Sequence, residues 1–265
     1  MDGGKQEMTD FDRSEFSPDA YRSLLRALSE RGYRPGRFDG APVTGRTILL
    51  RHDIDLSIDA AMSISRIEAD EGWLSTYYVL VSSDLYNPGS AASRALLSEI
   101  AGMGHEIGLH FDSSLYAKIE SGELDVAALE RAAVSECATL SNAIGREVAS
   151  ISFHRPVTQL QGLDRDFAGR PHSYQPRYFR EIDYCSDSGG RWKHGHPLDR
   201  AAVAAGQPMQ LLTHPIWWSR AGANIPDKVD AALDRSANHS KAEASRNILP
   251  YADYLDDASN GRVRD

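Results

Sequence analysis

Cysteine is nearly absent: Cys137 and Cys185 are the only two in 265 residues. Neither belongs to a CxxC pair, so a disulfide framework and a thiolate zinc site are both excluded. The two read as free thiols in or near the core. No apolar run reaches the length of a membrane span. The opening residues, "MDGGKQEMTDFDRSEF", lack the basic start and apolar stretch of a secretory leader, which points to a cytoplasmic protein. Basic residues are outnumbered, 29 against 38 acidic ones for a net charge of -9, the opposite of a nucleic-acid footprint. There is no GxGxxG or P-loop and no repeat at fixed period, so nucleotide binding and solenoid architectures have no support. The remainder is ordinary, 41% hydrophobic and 25% charged, enough for one domain over residues 1–265.

Short apolar runs of β type alternate with longer helical segments. "SPDAYRSLLRALSERGY" offers Ser17 as N-cap, Pro18 in the first turn, Leu24, Leu25 and Leu28 on one face and Gly32 as a stop. "RTILLRHDID" reads as a buried strand ending in charge, followed by a helix from about Ser57 to a stop at Gly72. "STYYVLVSS", "HEIGLHFD" and "VASISFHRP" read as further strands with helices between them, and "DYCSDSGGRW" and "MQLLTHPIWW" as two more strand ends. Residues 225–265 read as a polar, helical extension. Repeated strand–helix–strand units imply parallel strands, in a barrel or an open sheet.

The stretch "GHEIGLHFD" has the two histidines and the glutamate of a zinc peptidase but not their spacing. His105 and His110 are five apart, which on a helix separates them by roughly 140°, and Gly104 and Gly108 weaken a helix further. On a strand, His110 and Asp112 share a side. Parallel α/β folds place their sites at the carboxyl ends of strands. Here those ends are "RHDID", "LHFD", "FHRP", "CSDSGGRW" and "LTHP". A lone instance would be a cap or a satisfied core histidine; five together point to a common polar site.

Alternation puts Asp53 and Asp55 on one side of their strand. Two adjacent carboxylates repel unless a cation lies between them or one holds a proton. Helix capping explains one aspartate but not both. A metal on one and a general base in the other uses the pair. His110 reaches the same point, His105 at the strand start reads as structural, and Asp112 could ligate, orient His110 or cap the next turn. Arg155 suits holding a carboxylate ionised, and His214 suits donating a proton to a leaving group. Trp217 and Trp218 read as packing.

In this order the motifs resemble the polysaccharide deacetylase family (carbohydrate esterase family 4, NodB-like). "LLRHDID" resembles its first motif, "GHEIGLHFD" the second, "FHRP" the third, "SDSGGRW" the fourth and "LLTHP" the fifth, over residues 47–218. The resemblance implies an α/β fold, a distorted or incomplete (β/α) barrel, with a divalent metal, commonly zinc. It implies Asp53 as catalytic base, Asp55 and His110 as metal ligands, Arg155 as the residue orienting the base, and His214 as general acid. The family's second motif carries another histidine four residues after the first; here that position is Ser114. Asp112 is the favoured replacement as third ligand, with His154, water or loss of the metal as alternatives.

The expected activity is metal-dependent removal of an acetyl group, N-acetyl by preference, from a sugar or oligosaccharide precursor. The competing readings are another amide hydrolase on the same scaffold and a degenerate protein that binds a glycan or a partner.

Overall fold

The computed structural model describes residues 12–116 and 125–259. Seven strands form one sheet: β1 (Arg34–Pro35), β2 (Thr47–Ile54), β3 (Thr76–Val79), β4 (Glu106–Asp112), β5 (Ile151–His154), β6 (Asp183–Ser186) and β7 (Met209–Thr213). Every pairing is parallel, in the order β5-β4-β3-β2-β7-β6, with β1 joined to the start of β2. Parallel neighbours need a crossover. The long ones are helical: α1 (Pro18–Glu30) precedes β2, and α2 (Ile58–Asp70), α3 (Ala91–Gly102) and α4 (Val126–Ile144) follow β2, β3 and β4. Ser17 caps α1 as its sequence predicts, and Ser57 caps α2; they accept from the amides of Ala20 and Ala60 at 3.2 and 3.3 Å. Short helices α5 (Pro176–Phe179), α6 (Ala201–Ala204) and α7 (Pro215–Trp218) serve the second half. Two final helices, α8 (Ile225–Asn247) and α9 (Leu249–Ser259), form the polar C-terminal extension, whose residues 260–265 lie outside the described residues.

The sheet's two faces differ in chemistry, because strand side chains alternate. Ile48, Leu50, Ile54, Tyr77, Val79, Leu109, Phe111, Phe153 and Leu211 pack outward into two apolar clusters beneath the helices. The opposite face carries Arg51 and Asp53 on β2, Tyr78 on β3, His110 on β4, Ser150 and Ser152 at β5 and Gln210 on β7, all buried. Such a face can be buried only if it closes on itself so that its polar groups find partners. It does so. The amide of Ser173 donates to Ile151 O alongside β5, yet Gln210 Nε2 reaches Ser173 O at 3.1 Å and Arg51 donates to Ser173 Oγ. β2 lies three strands from β5, roughly 14 Å along a flat sheet. The sheet is therefore curled into an incomplete (β/α) barrel around a polar interior.

Gly108 makes that curl possible. A Cβ there would stand 2.4 Å from Tyr78 Cε1 and 2.9 Å from Ser150 O, and Tyr78 crosses β4 at this point to bond Ser150 Oγ at 2.7 Å. Gly108→Ala is expected to cost about 1–3 kcal/mol by overpacking, measurable by urea denaturation.

Behind the sheet lies a second polar group. Glu68 on α2 is fully buried and accepts from Tyr21 Oη at 2.5 Å, His52 Nε2 at 2.6 Å, Ser75 Oγ at 2.6 Å and Tyr77 Oη at 2.7 Å. Burial alone would raise its pKa, but His52 and these hydrogen bonds outweigh that and hold it near 2. His105 joins the cluster, its Nδ1 3.2 Å from Ser75 Oγ and its Nε2 3.1 Å from Ser65 O. The structural role expected of His105 is the one the fold gives it. Glu68→Ala leaves the buried His52 and three hydroxyls without an acceptor and is expected to destabilise by about 3–5 kcal/mol, read from the same denaturation curves.

Candidate metal centre

β2 delivers two carboxylates to the carboxyl end of the barrel. Asp53 projects inward from the strand, and Asp55 stands just past its end. His110 enters from β4 and His154 from the last position of β5. His110 Nε2 lies 3.2 Å from Asp55 Oδ1, and His154 Nδ1 lies 3.5 Å from the same oxygen. Among the described residues, Asp55, His110 and His154 are the group whose ligand atoms all fall within 4.8 Å of one another.

The donor set fits a divalent cation. Two ligands about 2.1 Å from a tetrahedral ion stand about 3.4 Å apart, close to both observed separations. Asp55 Oδ1 is buried without an aligned hydrogen-bond donor, an expensive arrangement unless a cation completes it. Burial alone would raise the Asp55 pKa; the nearby His110, His214 and His154 imidazoles outweigh it and hold the carboxyl at about 2. Burial and the neighbouring His110 lower the His154 pKa, favouring the neutral imidazole a metal needs.

Asp112, the ligand favoured from the sequence, lies outside this cluster. It shares the inward parity of His110, but its strand ends there and the carboxylate caps the turn Ser113–Leu115. Asp112 Oδ1 accepts from Ser114 N and Oγ at 3.0 and 2.7 Å, and Oδ2 accepts from Arg155. His154, the alternative, is the third member of the cluster, brought in by β5 instead of by the turn that follows β4.

Arg155 likewise differs from expectation. Its backbone is left-handed, with φ 47°, a costly conformation for a residue other than glycine. This turns its guanidinium toward Asp112 and leaves the side chain 62% exposed. The cation beside Asp53 is Arg51, fully buried two residues earlier on the same strand face. Its Nη2 donates to Asp53 Oδ2 at 3.1 Å, and Ser152 Oγ lies 3.5 Å from that oxygen. Asp53 Oδ1 is left free. Arg51 was legible in "LLRHDID": an arginine at i−2 from an aspartate on a buried strand has that carboxylate as its nearest partner.

His214 follows β7 and faces the same point, with Nε2 3.8 Å from Asp55 Oδ2. Its Nδ1 donates to Asp187 Oδ1 at 2.6 Å. Asp187, fully buried just after β6, also accepts from the His214 amide at 3.0 Å and from Trp218 Nε1 at 2.8 Å. Burial alone would depress the His214 pKa, but Asp187 and then Asp55 raise it to about 9. Asp187 stands within "SDSGGRW", where nothing local gives it a role; its buried contact with His214 supplies one. Trp218 packs as expected and also fixes that acid.

No protein-family model and no curated protein matches the chain. Solved structures do. A Streptococcus mutans CE4 esterase is 13% identical over 83% of this chain and 89% of that one, with a TM-score of 0.46. The Streptococcus pyogenes deacetylase PplD in complex with acetate is 11% identical over 81% and 90%, with a TM-score of 0.42. The chitin deacetylase of Colletotrichum lindemuthianum is 13% identical over 76% and 86%, also with a TM-score of 0.42. At these identities the likeness concerns the course of the chain, and the chemistry must come from the side chains themselves.

Proposed function

We propose that this chain is a divergent member of the polysaccharide deacetylase family, a metal-dependent hydrolase that removes acetyl groups, N-acetyl by preference, from a sugar or oligosaccharide. The carrying observation is the convergence of Asp55, His110 and His154 between a carboxylate held by arginine, Asp53, and an imidazole held by a buried acid, His214. A bound divalent ion, zinc by preference, supplies Lewis acidity toward an acyl carbonyl and makes water more acidic. Asp55, His110 and His154 would hold it.

The chain's own residues provide the proton transfers. Asp53, paired with Arg51 through Oδ2, has its free Oδ1 available to take a proton from the attacking water. His214 presents Nε2 to the centre while Asp187 fixes its other nitrogen, so it arrives protonated and can deliver that proton to a departing amine or alkoxide. A pure binding protein has no use for a base and an acid placed beside one ligand cluster. No helix among the described residues is long and apolar enough to cross a membrane; a cytoplasmic location and an acetylated sugar as partner belong to this same reading.

The test is acetate release from N-acetylated and O-acetylated oligosaccharides, with zinc, cobalt or manganese supplied. Release by wild type and not by Asp53→Asn is the expected result. No release from any substrate with stoichiometric metal bound would sink the reading.

A further inference from the structure

The strand order puts the proton donor and the other site residues on opposite sides of one seam. Asp53 lies on β2 with Asp55 just past it, His110 on β4 and His154 on β5. His214 and Asp187 instead follow β7 and β6. The seam is the β2–β7 ladder, and its final rung pairs His52 with Thr213. One residue further along each chain stand Asp53 and His214. Asp53 is registered with Tyr78 on β3, whereas the His214 amide and Nδ1 are bonded to Asp187. Each half is thus fixed to its own neighbours, and the rung decides how the two halves stand to one another.

That rung carries a side-chain bond as well as a backbone pairing. His52 Nδ1 lies 2.7 Å from Thr213 Oγ1, and both residues are fully buried. Alternation puts this contact on the sheet face opposite Asp53. Glu68 holds the far side of the ring, 2.6 Å from Nε2. An ionised carboxylate only accepts, so a neutral imidazole gives its Nε2 proton to Glu68 and takes the Thr213 hydroxyl at Nδ1. The ring cannot turn without losing both bonds, because Glu68 is itself fixed by Tyr21, Ser75 and Tyr77. The Tyr21 ring also lies 5.2 Å from that of Trp218, which donates to Asp187. The buried group behind the sheet therefore reaches His214 twice, through Thr213 before it in the chain and through Trp218 and Asp187.

We propose that His52 is a positioning residue for the hydrolysis: through Thr213 it sets the distance between the base Asp53 and the acid His214. The proposal rests on the deacetylase reading above and adds to it a role for the buried group behind the sheet. Misplacing a reacting group by about 1 Å can cost about 10²-fold in rate. His52 touches neither substrate nor metal, so its effect falls on the rate of the chemical step and leaves binding alone.

Thr213→Val keeps the shape of the side chain and removes the hydroxyl. His52→Gln keeps a donor for Glu68 and removes the acceptor for Thr213. With metal-loaded full chain and tetra-N-acetylchitotetraose, each is expected to lower kcat about 10-fold at unchanged KM and metal content. Thr213→Ser restores the hydroxyl and is expected to recover most of that rate. The double variant is expected to be no slower than either single one, because both remove the same bond. Leu140→Ala, in the apolar cluster beneath α4, is the control: it lowers stability to urea without lowering kcat. Wild-type kcat in Thr213→Val, no recovery in Thr213→Ser, losses that multiply in the double variant, or an equal loss in Leu140→Ala would each overturn the proposal. If wild type hydrolyses no substrate, crystal structures of wild type and Thr213→Val decide separately. A His214 imidazole displaced from Asp53 by about 1 Å keeps the positioning and rejects the deacetylase; an unmoved imidazole rejects the positioning.

Discussion

His154→Ala is expected to strip the protein of stoichiometric metal, whereas Asp112→Ala leaves the metal in place. Elemental analysis of purified protein, followed by competition with a chelator, measures both. Catalytic zinc sites hold their ion with three protein ligands, and removing His154 leaves Asp55 and His110. Loss of a partner one shell further out costs 10–100-fold in metal affinity as an order of magnitude; loss of a direct ligand is expected to exceed that. Asp112 is occupied by Ser114 and Arg155, so its removal frees an arginine at the rim without disturbing the three donors. Retention of metal in His154→Ala together with loss in Asp112→Ala would show that the ligand set is the one the strand pattern of "LHFD" suggested.

The second large effect concerns Asp187. Asp187→Asn is expected to lower kcat on an acetylated substrate by about 10²–10⁴-fold, the usual contribution of a positioned acid or base, because His214 loses both its orientation and its proton. A stability signature accompanies it. His214 has a folded pKa of about 9 against an ordinary 6.5, so folding favours its charged form. That contribution is complete below about pH 6.5 and disappears as pH rises through 9. The difference is worth about 3 kcal/mol. Chemical denaturation with a chelator present should therefore show wild type more stable than the variant at pH 6, with the gap closing toward pH 9 and above. A gap independent of pH would mean that Asp187 acts through packing and its bond to Trp218 alone.

The strands and their polar ends were legible because a buried parallel strand writes itself as an apolar run, and a charge at its end needs a reason. "RTILLRHDID" and "HEIGLHFD" each became a strand within a few residues of the expected limits, and "MQLLTHPIWW" is a strand over Met209–Thr213 that gives way to α7 at Pro215. Asp55, His110 and His214 were readable for the same reason, since all three stand at such ends. The less visible residues were those whose partners lie far away in sequence. Arg51 has a local partner in Asp53, but its place in the barrel interior follows only from the curl of the sheet, which brings Ser173 and Tyr174 around it. Glu68 on α2 is likewise buried and accepts from four side chains, those of Tyr21, His52, Ser75 and Tyr77.

What the sequence determined by itself is the alternation of strands and helices, the caps that start α1 and α2, and the set of acids and imidazoles gathered at one end of the sheet. Those are local properties: side-chain period, capping chemistry and the cost of ending an apolar run in charge act within a few residues. Only the tertiary structure decided which carboxylate each cation takes and which histidine completes the cluster. Two residues of strand alternation allow Asp112 and His154 equally. The choice fell to His154 because the turn after β4 consumes the Asp112 carboxylate, and because the curl of the sheet carries the end of β5 to within 3.5 Å of Asp55.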